Sequence, residues 1–281
     1  MCVRACVCVG VCACARVYSM AGEKSSTSQK PGQIFINDHP FIFTVSSFAK
    51  CNGCPYYCTV QQKQSEEIMD LDICKKRASN VHGMRAMIIR FHERYVTAGD
   101  MNHGKRWYRD ARAIASNIAS DNGFTVAQVC GVISALSPSV SWETNLTDAE
   151  TICKAFADGI PFGTVTVSTY GQNKDKAHRI LSGLGDAESV SEQFKFPSKT
   201  GSFFFNLLYP NAPTFVTVDR HALGIALGSR DSNVHQSLSI TDKRYRTIAD
   251  AYVSASRYLG YESPCQLQAS TWVAYRRNFA N

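Results

Sequence analysis

A lone lysine and a lone aspartate, Lys199 and Asp219, each stand at the start of an apolar stretch, twenty residues apart. The first stretch reads Lys199-Thr-Gly-Ser-Phe-Phe-Phe-Asn-Leu-Leu208, and the second follows Val-Thr-Val218 with Asp219-Arg-His221. A lysine and a carboxylate held together at two helix starts supply a nucleophile and a general base, or an anion that stabilises a developing cation. The pair also has a plain structural reading. The lysine is then merely solvated, and the aspartate caps a helix by accepting from its first amides. His221, two residues on, orients structure in either case rather than exchanging protons.

Four cysteines form a second chemical set: Cys51-x-x-Cys54-x-x-x-Cys58, with Cys74 further along. Four thiolates suffice for a tetrahedral zinc site, and Asn52-Gly53 suits the tight turn of a Cys-x-x-Cys knuckle. A structural zinc there would stabilise a small N-terminal module; an iron–sulfur cluster and unliganded thiols are the alternatives. Of the twelve cysteines, five crowd into the first fourteen residues, and Cys130, Cys153 and Cys265 sit in apolar helical patterns. In such patterns cysteine acts as a small hydrophobe. A secreted disulfide scaffold spreads its cysteines through the fold, so this distribution predicts a reduced, intracellular protein.

The 281 residues carry a net charge of +7 with a pI near 8.8, a lean toward anionic partners of which nucleic acid is the commonest. Lys105, Arg106, Arg109 and Arg112 lie along one side of a helical pattern beside Trp107 and Tyr108, a face that either tracks phosphates or is simply solvated. Arg276-Arg277 has the same two readings. The opening run to Tyr18 is a Cys-Val-Ala repeat, too short to span a bilayer and without a signal-peptide cleavage pattern. It is read as an extension without a folded role, with translation starting at Met1 or Met20. No later stretch is apolar enough to cross a membrane.

The elements that must position these residues are helical. Residues 1–32 read as a disordered leader and linker, and 33–79 as a small Cys-rich module opening with two short strands about Asn37-Asp38. From residue 80 to 281 the hydrophobic period is that of helices. Met84, Met87, Ile88, Phe91 and Tyr95 make one stripe, and Tyr108 to Ile118 another. Thr125 with Gln128 forms a capping box, and Pro138 stops that helix. Further helices run from about Trp142 to Gly159, Lys174 to Leu184, Lys199, Asp219, and Asp242 to Leu259. Ser263-Pro264 with Gln266 opens the last, as cap, first turn and box. The expected fold is mostly α, with nine or ten helices.

Three segments, in order, resemble the helix-hairpin-helix DNA glycosylase superfamily of the endonuclease III type. Val132-Ile-Ser-Ala-Leu-Ser-Pro-Ser-Val-Ser-Trp-Glu-Thr-Asn-Leu-Thr-Asp-Ala149 is similar to that family's helix ending in Leu-Ser, its base-facing loop and the Asn-bearing helix beyond. Tyr170-Gly-Gln-Asn-Lys-Asp-Lys-Ala-His-Arg-Ile180 is similar to the segment before the hairpin. Lys199-Thr200 matches the Lys-Thr that closes the hairpin, and Val218-Asp219-Arg220-His221 matches Val-Asp-Thr-His. The likeness covers roughly residues 125–227. Two departures stand out: the hairpin reads Phe194-Lys-Phe-Pro-Ser198 without glycine, and the family's C-terminal iron–sulfur cysteines are missing. Similar divergent members are associated with phage systems that build modified thymines.

The resemblance implies a DNA base-processing enzyme that extrudes a nucleotide from the stack. Asp219 would stabilise an oxocarbenium-like centre or activate a nucleophile, and Lys199 would attack the sugar carbon if the enzyme is also a lyase. Trp142, Glu143, Asn145, Ser137 and His221 would face the base, since a base needs an aromatic wall and polar groups at its edge. Lys174, Lys176, Lys195, Thr200 and Ser202 are expected to face DNA. Two other functions stay open: a phage-type transferase that modifies a hypermodified pyrimidine without excising it, and a non-catalytic DNA-binding protein on the same fold.

Overall fold

The computed structural model describes residues 73–229 and 238–279, with the backbone of four short strands before them. The chain divides into two compact units, Met1–Leu71 and Asp72–Asn281. In the first, β1 (Cys6–Val9) pairs antiparallel with β2 (Val11–Cys14), and β3 (Gln33–Ile36) with β4 (His39–Ile42). The β3–β4 ribbon brackets residues 37 and 38, as the alternation predicts. The β1–β2 ribbon lies in the leader, for which no folded role is expected. Cys51, Cys54 and Cys58 lie outside the described residues.

Cys74 falls beyond the first unit. It sits in the second unit, buried, with its Sγ donating to the Leu227 carbonyl at 3.7 Å. The helical unit therefore takes in residues assigned by sequence to the Cys-rich segment. Among the described residues no group of His, Cys, Asp and Glu is placed to hold a metal. No described helix is long and apolar enough to cross a membrane.

The second unit is a helical assembly whose elements start where the sequence supplies caps. In α1 (Val81–Tyr95), Asn80 accepts from the Gly83 amide. In α2 (Ala98–Asn122), Thr97 and Asp100 close a reciprocal capping box, and Gly123 ends the helix in the left-handed region at φ 73°. α2 is thus much longer than the Tyr108–Ile118 stripe, because polar residues extend it at both ends. Thr125 and Gln128 make the predicted box at the head of α3 (Val126–Leu136). α4 (Trp142–Ala157) is capped by Ser141. α5 (Gly171–Ser182) and the short α6 (Ala187–Ser191) follow, the latter without a counterpart in the sequence reading. Then come α7 (Lys199–Leu208), α8 (Arg220–Leu227), α9 (Asp242–Tyr258) and α10 (Pro264–Phe279).

One expected cap is not made. The Gln266 Nε2 donates to Glu262 rather than leaving the amide to close a box on Ser263, whose hydroxyl instead donates to the Pro210 carbonyl. The Gln266 Oε1 that would close the box accepts nothing, because its amide is turned toward Glu262, while the buried Ser263 hydroxyl finds its acceptor across the fold.

α3 is the central helix, with every residue from Ala127 to Leu136 buried. α2, α4, α5 and α7 pack around it, and Ile133, Leu136, Ile152, Phe204 and Leu207 are sealed from solvent. Each such side chain stabilises the fold by roughly 1.5–3 kcal/mol through lost apolar contact with water. α10 crosses α2 at Gly104, where an added Cβ would lie 2.3 Å from the Ser270 backbone nitrogen and 2.4 Å from its Cα. Only glycine permits that approach. Its consequence is that the α2 residues after Gly104 and the α10 residues around Ser270 share one wall of a cavity.

Candidate functional site

Lys199 and Asp219 line the same cavity, of about 120 Å³, together with Ser137, Trp142 and Asn145. Local capping sets both ends of the pair. Ser198 accepts from the Gly201 amide at 3.0 Å, which makes Lys199 the first residue of α7. The Ser134 hydroxyl donates to the Thr200 carbonyl at 2.5 Å and ties that helix start to α3. Asp219 is itself the cap of α8, its Oδ1 accepting from the Ala222 amide at 2.8 Å.

The segment leading to Asp219 is held from behind. Tyr245 on α9 donates its hydroxyl to the Val216 carbonyl at 2.9 Å and accepts from the Val218 amide at 3.0 Å. The buried Asn206 amide on α7 is satisfied with its oxygen accepting from the Thr217 amide and hydroxyl and its nitrogen donating to the Phe215 carbonyl. Val216, Thr217 and Val218 are buried, so the extended chain that delivers the aspartate is fixed on both sides.

The second oxygen of Asp219 meets His221 Nδ1 at 3.1 Å, and the side chain is only 16% exposed. Burial alone would push this carboxyl up. The hydrogen bond and charge of His221, the Ala222 amide and the charge of Lys199 outweigh it and hold the pKa below its ordinary value. Asp219 is therefore an anion at neutral pH. Each of its oxygens keeps a lone pair beyond its one partner, enough to orient a water or face a cation. Lys199 is exposed and makes no ion pair with Asp219, so its ammonium is available at the cavity mouth.

Aromatic rings line the same cavity. Trp142 lies 4.9 Å from Trp107, which in turn lies 5.9 Å from Trp272 and 6.2 Å from Phe203. Tyr108 and Gln268 join beneath them, with the Tyr108 hydroxyl donating to Gln268 Oε1 at 2.8 Å. Burial drives the Tyr108 pKa well up, so this phenol keeps its proton and acts as the donor.

Of the residues expected at the site, Ser137, Trp142, Asn145, Lys199 and Asp219 meet in the cavity. His221 does not line it but orders Asp219, and packs against the Tyr275 ring at 4.9 Å. Glu143 points away and is fully exposed. Its carboxyl is held below its ordinary value chiefly by its own backbone amide and the Ser141 hydroxyl, as expected in the first turn of a helix. Lys174 turns back to the Val165 carbonyl and lies over the Phe162 ring. Lys176 lies over the Phe194 ring, and Lys195 pairs with Asp242 at 2.7 Å. Thr200 is half-buried, and Ser202 is buried at 1% exposure, so its hydroxyl presents nothing at the surface. On α2, Arg112 donates to the Leu208 carbonyl and Lys105 lies over the Tyr261 ring.

Sequence reasoning missed Trp107 as a cavity residue, and with it Trp272 and Gln268. One signal was present: the chain has only three tryptophans, and all three line this cavity.

The profile of a family of unknown function, DUF7178, matches residues 71–279. The chain belongs to this family. The DUF7178 match takes in every cavity residue and the whole described helical unit, while the two N-terminal β-ribbons fall before it. No curated protein and no solved structure gives a match.

Proposed function

We propose that this DUF7178 protein is a DNA base-processing enzyme of the helix-hairpin-helix glycosylase type, cleaving the N-glycosidic bond of a nucleotide extruded into the cavity. The observation that carries the reading is the meeting of an ionised Asp219, a Lys199 with no ion pair among the described residues and an aromatic wall in one cleft. An extruded base needs a stacking surface and polar groups at its edge, and a nascent oxocarbenium ion needs an anion close by. In the reaction a water oxygen bonds to the sugar C1′ as the bond from C1′ to the base nitrogen breaks. Asp219 stabilises the positive charge on the sugar and orients that water, whose proton leaves with the base or to solvent. Lys199 steadies the adjoining phosphate. The net charge of +7 favours the encounter with DNA.

The test is incubation of the full chain with DNA carrying a panel of modified and damaged bases, with mass analysis of both the supernatant and the recovered DNA. Released base is the expected result. Asp219→Asn should lower that release by about 10²–10⁴-fold, the usual worth of such a group. It should lower the melting temperature only modestly, because asparagine keeps the helix cap and only the charge contacts with His221 and Lys199 are lost. A mass change in intact DNA would replace excision with base transfer. Equal behaviour of wild type and Asp219→Asn on every substrate would leave only DNA binding.

A further inference from the structure

Asn145 is 2% exposed, lines the cavity, and its Oδ1 has no hydrogen-bond partner. A buried amide oxygen without a donor costs about 1–3 kcal/mol, so such atoms are rare unless something else supplies the donor. Gln268 gives the complementary half. It is 5% exposed and its Oε1 is occupied by the Tyr108 hydroxyl, which leaves the two Nε2 hydrogens without a protein acceptor among the described residues. One group thus waits for a donor and the other for an acceptor, on two helices, α4 and α10, far apart in sequence. The tryptophan wall beside them offers a face on which a flat ring can stack.

We propose that the cavity recognises a single-ring heterocycle with a lactam edge, a ring N–H beside a carbonyl, through Asn145 Oδ1 and Gln268 Nε2. The ring N–H donates to Asn145, the carbonyl accepts from Gln268, and the plane of the ring packs on the tryptophans. A volume of about 120 Å³ is room for several waters, so a flat ring can enter the cavity. This inference rests on the reading of the cavity as a base pocket and narrows the class of base it takes.

Because all three tryptophans line the cavity, the tryptophan emission of the intact protein reports on this site alone. Thymidine, which carries the lactam edge, should quench it saturably, and 2-deoxyribose should not. N3-methylthymidine keeps the ring and the carbonyls but lacks the N–H, and should bind at least about fivefold more weakly, the worth of one hydrogen bond of this kind. Asn145→Leu should lose thymidine affinity by a similar factor and no longer distinguish the two nucleosides. Equal binding of thymidine and N3-methylthymidine, or no quenching by thymidine, overturns the assignment. The ligand-side comparison decides the matter even if Asn145→Leu fails to fold. Nucleoside binding with no base released from any DNA would sink excision and leave this inference standing. Base release with indifference to the N3-methyl group would do the reverse.

Discussion

Asp100 offers the sharpest test of how the cavity walls are held. Its carboxylate takes the Arg277 guanidinium in a two-pronged contact, Nε to Oδ1 at 3.0 Å and Nη2 to Oδ2 at 2.8 Å, and it also accepts from the Thr97 amide and hydroxyl. Arg277 reaches on to the Tyr95 carbonyl. One side chain of α10 therefore clamps the end of α1 and the beginning of α2. The Arg277 hydrogen bond is the main reason that the Asp100 pKa falls from 3.8 to about 2, with burial opposing it and the Thr97 bonds assisting. Since the folded value is depressed, the carboxylate stabilises the fold above the unfolded pKa, and that contribution is lost as pH falls from about 4 through about 2.

The difference between 3.8 and about 2 corresponds to roughly 2 kcal/mol at neutral pH. Asp100 itself is only 5% exposed, so little of this is screened, although Arg277 at 47% exposure is the softer partner. Asp100→Asn keeps the acceptor for Thr97 but turns amide hydrogens toward a guanidinium. Urea unfolding at pH 7 should show the variant about 2 kcal/mol less stable than wild type, and the gap should close when both are measured near pH 2. An Arg277→Met background should also remove most of the gap, as expected for partners in direct contact. A penalty of equal size at pH 7 and pH 2, or one untouched by the loss of Arg277, would refute the clamp.

Three other outcomes follow from the same geometry. Gly104→Ala drives a Cβ into the Ser270 backbone, so it should cost about 3 kcal/mol or more in chemical denaturation and shift the tryptophan emission as α2 and α10 part. Tyr245→Phe strands the Val218 amide without its acceptor and should cost about 1–3 kcal/mol, with a larger proportional loss of Asp219-dependent activity than of stability. Borohydride trapping on a processed substrate asks whether Lys199 forms an imine with the sugar. With Lys199 acting on phosphate no adduct should form, and Lys199→Gln should raise KM more than it lowers kcat.

Much of the local structure is legible without coordinates. The box at Thr125 and Gln128, the break at Pro138, the β3–β4 ribbon and the two helix starts at Lys199 and Asp219 all follow from rules that act over three or four residues. The start of α2 was equally legible in Thr97-x-x-Asp100, a capping box outside the apolar stripe that drew attention to that helix. Local rules fail where a side chain has another partner in reach, as where Gln266 turns its amide to Glu262 instead of closing the box on Ser263.

The cavity divides along the same line. By itself the sequence determined that Lys199 and Asp219 begin helices, that Trp142 and Asn145 share the first turns of α4, and that the fold is mostly helical, because periodicity and capping are properties of adjacent residues. Only the tertiary structure decided that these four converge. It also placed Trp107, Trp272 and Gln268 beside them, through a crossing of α2 and α10 that depends on Gly104 meeting Ser270 far along the chain. It left Glu143 outside and Lys195 paired with Asp242, since one turn of a helix decides which side chain faces a cavity and which faces water. Spacing along a chain fixes neighbours on a helix, and packing between helices fixes which of those neighbours share a site.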